Sequence, residues 1–118
     1  MQYMLLIMGN EEQMNSATVV GDTGMSAEYA VYNEALMKAG AIRGGERLKP
    51  SSASTTVKVR DGKAVVLAGP YADTQEQLGG FYTIEAATLD EAIDWAAKCP
   101  AAQFGTIEVR PIWPINRG

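Results

Sequence analysis

Histidine is absent from this chain, so any acid–base or nucleophilic scheme must be built from carboxylates, phenols and one thiol. The densest group of such side chains is the stretch 69–82, where Asp73, Glu76 and Gln77 stand between Tyr71 and Tyr82. A carboxylate beside a phenol can move a proton without a cofactor, provided burial lifts the carboxylate pKa toward neutrality. On that basis Asp73 and Glu76 are candidate bases, with Tyr82 or Tyr71 as donor, for a cofactor-free isomerase or lyase. The candidate ligand-binding residues are Tyr71, Gln77, Arg43, Glu85 and Arg110. Arg43 stands beside Gly44-Gly45, where a guanidinium could reach a carboxylate, and Glu85, Glu108 and Arg110 alternate along strands. The same alternation equally describes the polar groups of a sheet edge or an interface.

Other chemistries fall away. A serine triad lacks its base, and one cysteine without histidine cannot build a structural zinc site, so neither metal nor cofactor is expected. Cys99 lies late in a helical pattern, with Lys98 as its basic neighbour, and reads as a packed thiol. The pairs Gly44-Gly45 and Gly79-Gly80 lack the spacing and lysine of a phosphate loop and precede strands, so they read as backbone devices. A formal net charge of -4 argues against nucleic acid as partner. No apolar run approaches the roughly 20 residues that span a bilayer. Met1 leads directly into a strand without a basic leader, so the expected location is cytoplasmic. With 118 residues, 47% hydrophobic and 20% charged, the chain reads as one globular domain over 1–118.

The elements that must hold these side chains follow from periodicity. Residues 2–8 form an apolar run that fits a strand covered on both faces, with Tyr3, Leu5 and Ile7 opposite Met4, Leu6 and Met8. Residues 9–24 have no sustained period and read as a loop with at most one helical turn. Ser26 caps a helix whose Tyr29, Tyr32, Leu36 and Ala39 share a face, and Gly40 stops it. Residues 41–50 read as a strand distorted at its glycines. Asp61-Gly62 predicts a two-residue hairpin turn pairing Arg60 with Lys63, Val59 with Ala64 and Val57 with Val66. Gly69-Pro70 opens a polar turn through Gln77, and a strand is expected over 80–86. Thr88 and Glu91 open a helix carrying Leu89, Ala92, Ile93 and Ala96, and 106–112 alternates as a last strand. The order is α+β: a ferredoxin-like βαββαβ pattern with an added β-hairpin. Two helices cover one face of such a sheet. The doubly apolar first strand therefore predicts a second copy on the other face, a homodimer.

The stretch Ala68-Gly69-Pro70-Tyr71-Ala72-Asp73-Thr74-Gln75-Glu76-Gln77-Leu78-Gly79-Gly80-Phe81-Tyr82 resembles the signature of the YCII-related family, in its DGPF branch. The likeness extends to 1–8 and 88–112. The acid that names the motif is Ala68 here, so no role of that carboxylate carries over. The resemblance implies a dimeric α+β barrel and, for this branch, a link to extracytoplasmic-function sigma factors. The His-Asp pair that it implies for lyase-like relatives has no histidine to receive it. The leading expectation is a small-molecule-binding or regulatory accessory module; a histidine-independent isomerase or lyase, and a purely structural signature, stand beside it.

Overall fold

A computed structural model describes residues 1–16, 26–72 and 74–115, with the side chains of 14–16 left aside. The described residues form six strands and three α-helices: β1 (Gln2–Gly9), α1 (Glu11–Ser16), α2 (Ala27–Lys38), β2 (Ile42–Arg47), β3 (Thr55–Arg60), β4 (Lys63–Ala68), β5 (Gln77–Glu85), α3 (Leu89–Lys98) and β6 (Thr106–Pro111). Four strands make one antiparallel sheet in the order β2-β5-β1-β6, and β3 with β4 makes a separate ribbon.

The central strand β1 alternates as its sequence dictates. Tyr3, Leu5 and Ile7 are buried against the helices, while Met4, Leu6 and Met8 remain half-buried on the other face. Tyr32 and Leu36 of α2, Tyr82 and Ile84 of β5, and Ala92, Ala96 and Cys99 at α3 complete the core. Ser26 and Thr88 cap α2 and α3 through their side-chain oxygens, which accept from the backbone N–H groups of Tyr29 and Glu91. The expected stripes hold in part. Ala39 lies at the helix end and is exposed, and Leu89 and Ile93 remain 49% and 46% exposed, while Ala92, Ala96 and Cys99 are buried and Trp95 packs against the core.

The hairpin pairs as its turn residues require: Arg60 with Lys63, Val59 with Ala64, Val57 with Val66, with Asp61 and Gly62 both at positive φ. The expected bulge in the second strand falls between Ile42 and Gly44. Two boundaries differ from the sequence reading. α1 is a formed helix, begun by Asn10, whose Oδ1 accepts from the Gln13 N–H at 3.2 Å. β5 starts at Gln77 rather than Gly80, because Gln77 and Leu78 pair with Gly9 and Met8 beyond a bulge. No described helix is long and apolar enough to cross a membrane.

Candidate functional site

The signature residues are held by long-range hydrogen bonds to the backbone and to one neighbouring hydroxyl. The Gln77 side-chain oxygen accepts from the Glu11 N–H at 3.1 Å, while its amide nitrogen donates to the Thr74 carbonyl. Glu76 Oε1 accepts from the Thr106 hydroxyl at 2.9 Å, joining the turn to the start of β6. Glu11 in turn accepts from the Ser51 N–H at 2.5 Å and the Ser51 hydroxyl at 2.9 Å, so the turn, α1 and the segment leading to the hairpin form one stapled corner. Asp73 lies outside the described residues.

Tyr82 is on the other side of the sheet. Its ring is buried beneath α2, 5.4 Å from that of Tyr32 in an edge-to-face arrangement. Burial pushes its hydroxyl up to about 12, the nearby Cys99 thiol adds to the rise, and a hydrogen bond with Asn33 opposes it. Burial also pushes up Tyr29, Tyr32 and the Cys99 thiol, and the Tyr29 hydroxyl lies 3.6 Å from Cys99 Sγ. These groups are neutral at physiological pH: they donate and accept hydrogen bonds and do not supply a thiolate or phenolate.

The remaining candidates divide between three places. Tyr71 is 84% exposed at the foot of the hairpin, with Lys58 Nζ 5.8 Å above its ring. Arg43, at the β2 bulge, donates to the carbonyls of Gly40 and Ile42. Glu85 and Arg110 instead share the face of the sheet away from the helices, since Glu85 pairs with Gln2 and Arg110 with Met4. Glu85 accepts from the Met1 amino group at 2.7 Å, and that hydrogen bond holds its carboxyl below the usual range, with the Arg43 charge adding a little. Arg110 pairs with Glu108 at 2.9 Å on the same face.

That face brings Glu85 and Arg110 onto one surface with Glu108. Rows run across it as Glu46, Phe81, Leu6 and Glu108, then Gly44, Thr83, Met4 and Arg110. Its middle is apolar and half-buried, and its β6 side is charged. Sequence reasoning placed Met4, Leu6 and Met8 on this face. It missed Glu11 and Asn33: the Asn10 cap could have found the helix holding Glu11, whereas a single amide within α2 gives no such signal. A shallow open hollow of about 270 Å³ lies elsewhere, lined by Arg47, Leu48, Lys49 and Pro50. Among the described residues no cluster of three acidic or cysteine side chains could hold a metal ion.

A family model for the YCII-related domain matches residues 1–116. The chain is also similar to an uncharacterized protein of Rhizobium meliloti (strain 1021), 33% identical over 114 residues, covering 95% of this chain and 92% of the relative.

Proposed function

Because the chain belongs to the YCII-related family, we propose that it acts as a homodimeric small-molecule-binding accessory module, its two sheets facing each other around the ligand. Each half is then a ferredoxin-like unit, a reading supported by the strand order β2-β5-β1-β6 with both helices α2 and α3 packed on one face, and the pair is a dimeric α+β barrel. The observation that carries it is the uncovered sheet face. Met4, Leu6, Met8 and Phe81 form an apolar middle that the helices leave to solvent, and Arg110, Glu108 and Glu85 stand beside it.

A second copy over this face would remove the apolar middle from water and leave the charged margin as the polar lining of a cleft. In that drier setting the Arg110 guanidinium gains strength as an anchor for a small anionic group, with Glu85 and Glu108 fixing its orientation. The signature works as architecture in this reading, because Glu76 and Gln77 are engaged with Thr106, Glu11 and Thr74. An isomerase or lyase pairing Glu76 with Tyr82 is less favoured, since that phenol is buried beneath α2. Co-purification of an extracytoplasmic-function sigma factor would extend the module's role to regulation.

The test combines sedimentation equilibrium with a ligand screen read by thermal shift. The expected results are a dimer at micromolar concentration, its loss in Leu6→Lys with the helical signal retained, and loss of any ligand shift in Arg110→Met. A wild-type chain that sediments as a monomer at those concentrations refutes the reading.

A further inference from the structure

The β3–β4 ribbon is built unlike the rest of the molecule. Its strands make extensive contacts only with each other. Directly paired residues share a face, so one face carries Val57, Val66, Val59 and Ala64 and no charge, while the other carries Lys58, Arg60 and Lys63 beside Val65 and Leu67. Val57, Val59 and Val66 are 59%, 62% and 61% exposed. An isolated two-stranded ribbon is marginal in water, and an open valine face of this kind is the sort of surface that contacts use.

Two further observations indicate which contact. The tail after β6 carries a second uncovered apolar group, Trp113 at 84% and Ile115 at 66% exposed. It leaves the sheet where Pro111 pairs with Tyr3, whereas the ribbon leaves at the opposite end, where Arg47 pairs with Gly80 and Ser51 is stapled to Glu11. The β1 residues aligned with those two ends, Tyr3 and Ile7, are about 13 Å apart along the strand, and within one chain both apolar groups stay open to solvent. The ribbon and the first turn of α3 also differ in charge, although Arg43 and Arg110 lie toward the tail end as well. The ribbon holds three cations against Asp61 in a chain of net charge -4, and the tail end holds the first turn of α3 with Asp90 and Glu91, which follows closely on the end of β5.

We propose that the ribbon is an arm that packs on a second copy of this chain, its valine face on the partner's Trp113 and the partner's Ile115, its basic face toward the partner's Asp90 and the partner's Glu91. A twofold axis makes the exchange reciprocal and closed, with each copy giving one arm and receiving one. This rests on the dimer proposed above and assigns it a second contact, separate from the sheet face.

The experiment compares three full-length proteins by sedimentation equilibrium: wild type, Val57→Asp/Val59→Asp and Leu6→Lys. The arm variant should raise the dimer Kd by roughly 100-fold, about tenfold for each valine taken out of the contact, with an unchanged helical signal. As a second readout, a chain carrying both Val59→Cys and Trp113→Cys should be joined into covalent dimers by a short bis-maleimide, and each single replacement should give far fewer, native Cys99 being buried. An arm variant whose Kd stays within about twofold of wild type, or a doubly substituted dimer that is not joined, overturns the arm and leaves the sheet-face dimer standing if Leu6→Lys still dissociates it. A monomeric wild type overturns both.

Discussion

Gly80 of β5 pairs with Arg47 and Gly44 of β2 pairs with Thr83, three registers along the same strand pair, and a methyl group should do opposite things at the two positions. Neither residue has a positive φ, so the requirement for glycine at Gly80 is not conformational, as the paired glycines first suggest, but one of space. A Cβ at Gly80 would stand 2.7 Å from the Glu46 carbonyl oxygen and 3.4 Å from the Arg47 Cα, both backbone atoms of the adjoining strand. At Gly44 a Cβ meets nothing within 4 Å. Alanine in a strand otherwise gains roughly 0.5–1 kcal/mol over glycine by reducing the freedom of the unfolded chain. Forcing β2 away costs on the order of 1–3 kcal/mol, and the Leu48 N–H to Gly79 carbonyl bond, 2.9 Å long beside the contact, is weakened with it. Gly80→Ala should therefore destabilise by about 1–2 kcal/mol and Gly80→Val by about 3, whereas Gly44→Ala should be neutral or stabilising by up to about 1 kcal/mol. Urea unfolding reads this directly: with a slope of roughly 2 kcal/mol per molar, the Gly80→Ala midpoint should fall by about 0.5–1 M. A Gly80→Ala protein as stable as wild type, or a Gly44→Ala protein that loses as much as Gly80→Ala, would refute the close-approach argument.

Thermal melts of Gln77→Ala and Glu76→Ala should separate the two signature side chains. The first frees a part-buried Glu11 N–H and should lose about 1–2 kcal/mol, and the second gives up an exposed bond to Thr106 and should lose under about 1 kcal/mol. Alkaline titration should expose the buried phenols. Tyr82 keeps its proton up to about 12 when folded, against an ordinary value near 10 in the unfolded chain, and burial raises Tyr29 and Tyr32 in the same direction. The folded state thus binds more protons in that window, so this contribution is complete below about pH 10 and is lost as pH rises through 10 to 12. For Tyr82 it amounts to roughly 1 kcal/mol after allowance for screening at its partly open end, and Tyr82→Phe should flatten that limb of a Tm-against-pH curve.

What was legible in the sequence was local. Asp61-Gly62 admits the two positive φ angles of a tight turn, and that alone aligns six residue pairs of the ribbon. Ser26 and Thr88 mark helix starts because an oxygen one bond from Cβ reaches the N–H three residues on, whatever the helix packs against. The alternation of β1 likewise set Met4, Leu6 and Met8 on one face, and that of β6 set Glu108 with Arg110; the strand pairing puts the two sets on the same side. The start of β5 was not legible. A glycine pair reads as a strand boundary, but Gln77 is carried into the sheet by Gly9 and by Glu11, residues far away in sequence.

The candidate site was less legible for the same physical reason. Side-chain type says that a carboxylate, an amide and two phenols are close in sequence, but strand geometry sends neighbours to opposite faces and a turn can send them to different layers. Tyr82 is drawn under α2 by the apolar period it shares with Ile84, and Tyr71, eleven residues earlier, stays in solvent at the foot of an arm. Glu76 and Gln77 are engaged with Thr106 and Glu11, partners that no local spacing announces. The polar residues that share a large open surface, Glu85, Glu108 and Arg110, come from two strands brought together only by the sheet order. Uncovered apolar area extends the same argument past the single chain. Met4, Leu6 and Phe81 on the sheet, Val57, Val59 and Val66 on the arm, and Trp113 on the tail lie on three separate parts of the molecule. One twofold dimer with two separate contacts, sheet face and arm, can cover all three, so Leu6→Lys and the arm variant should weaken one and the same dimer, by independent steps whose effects on Kd multiply.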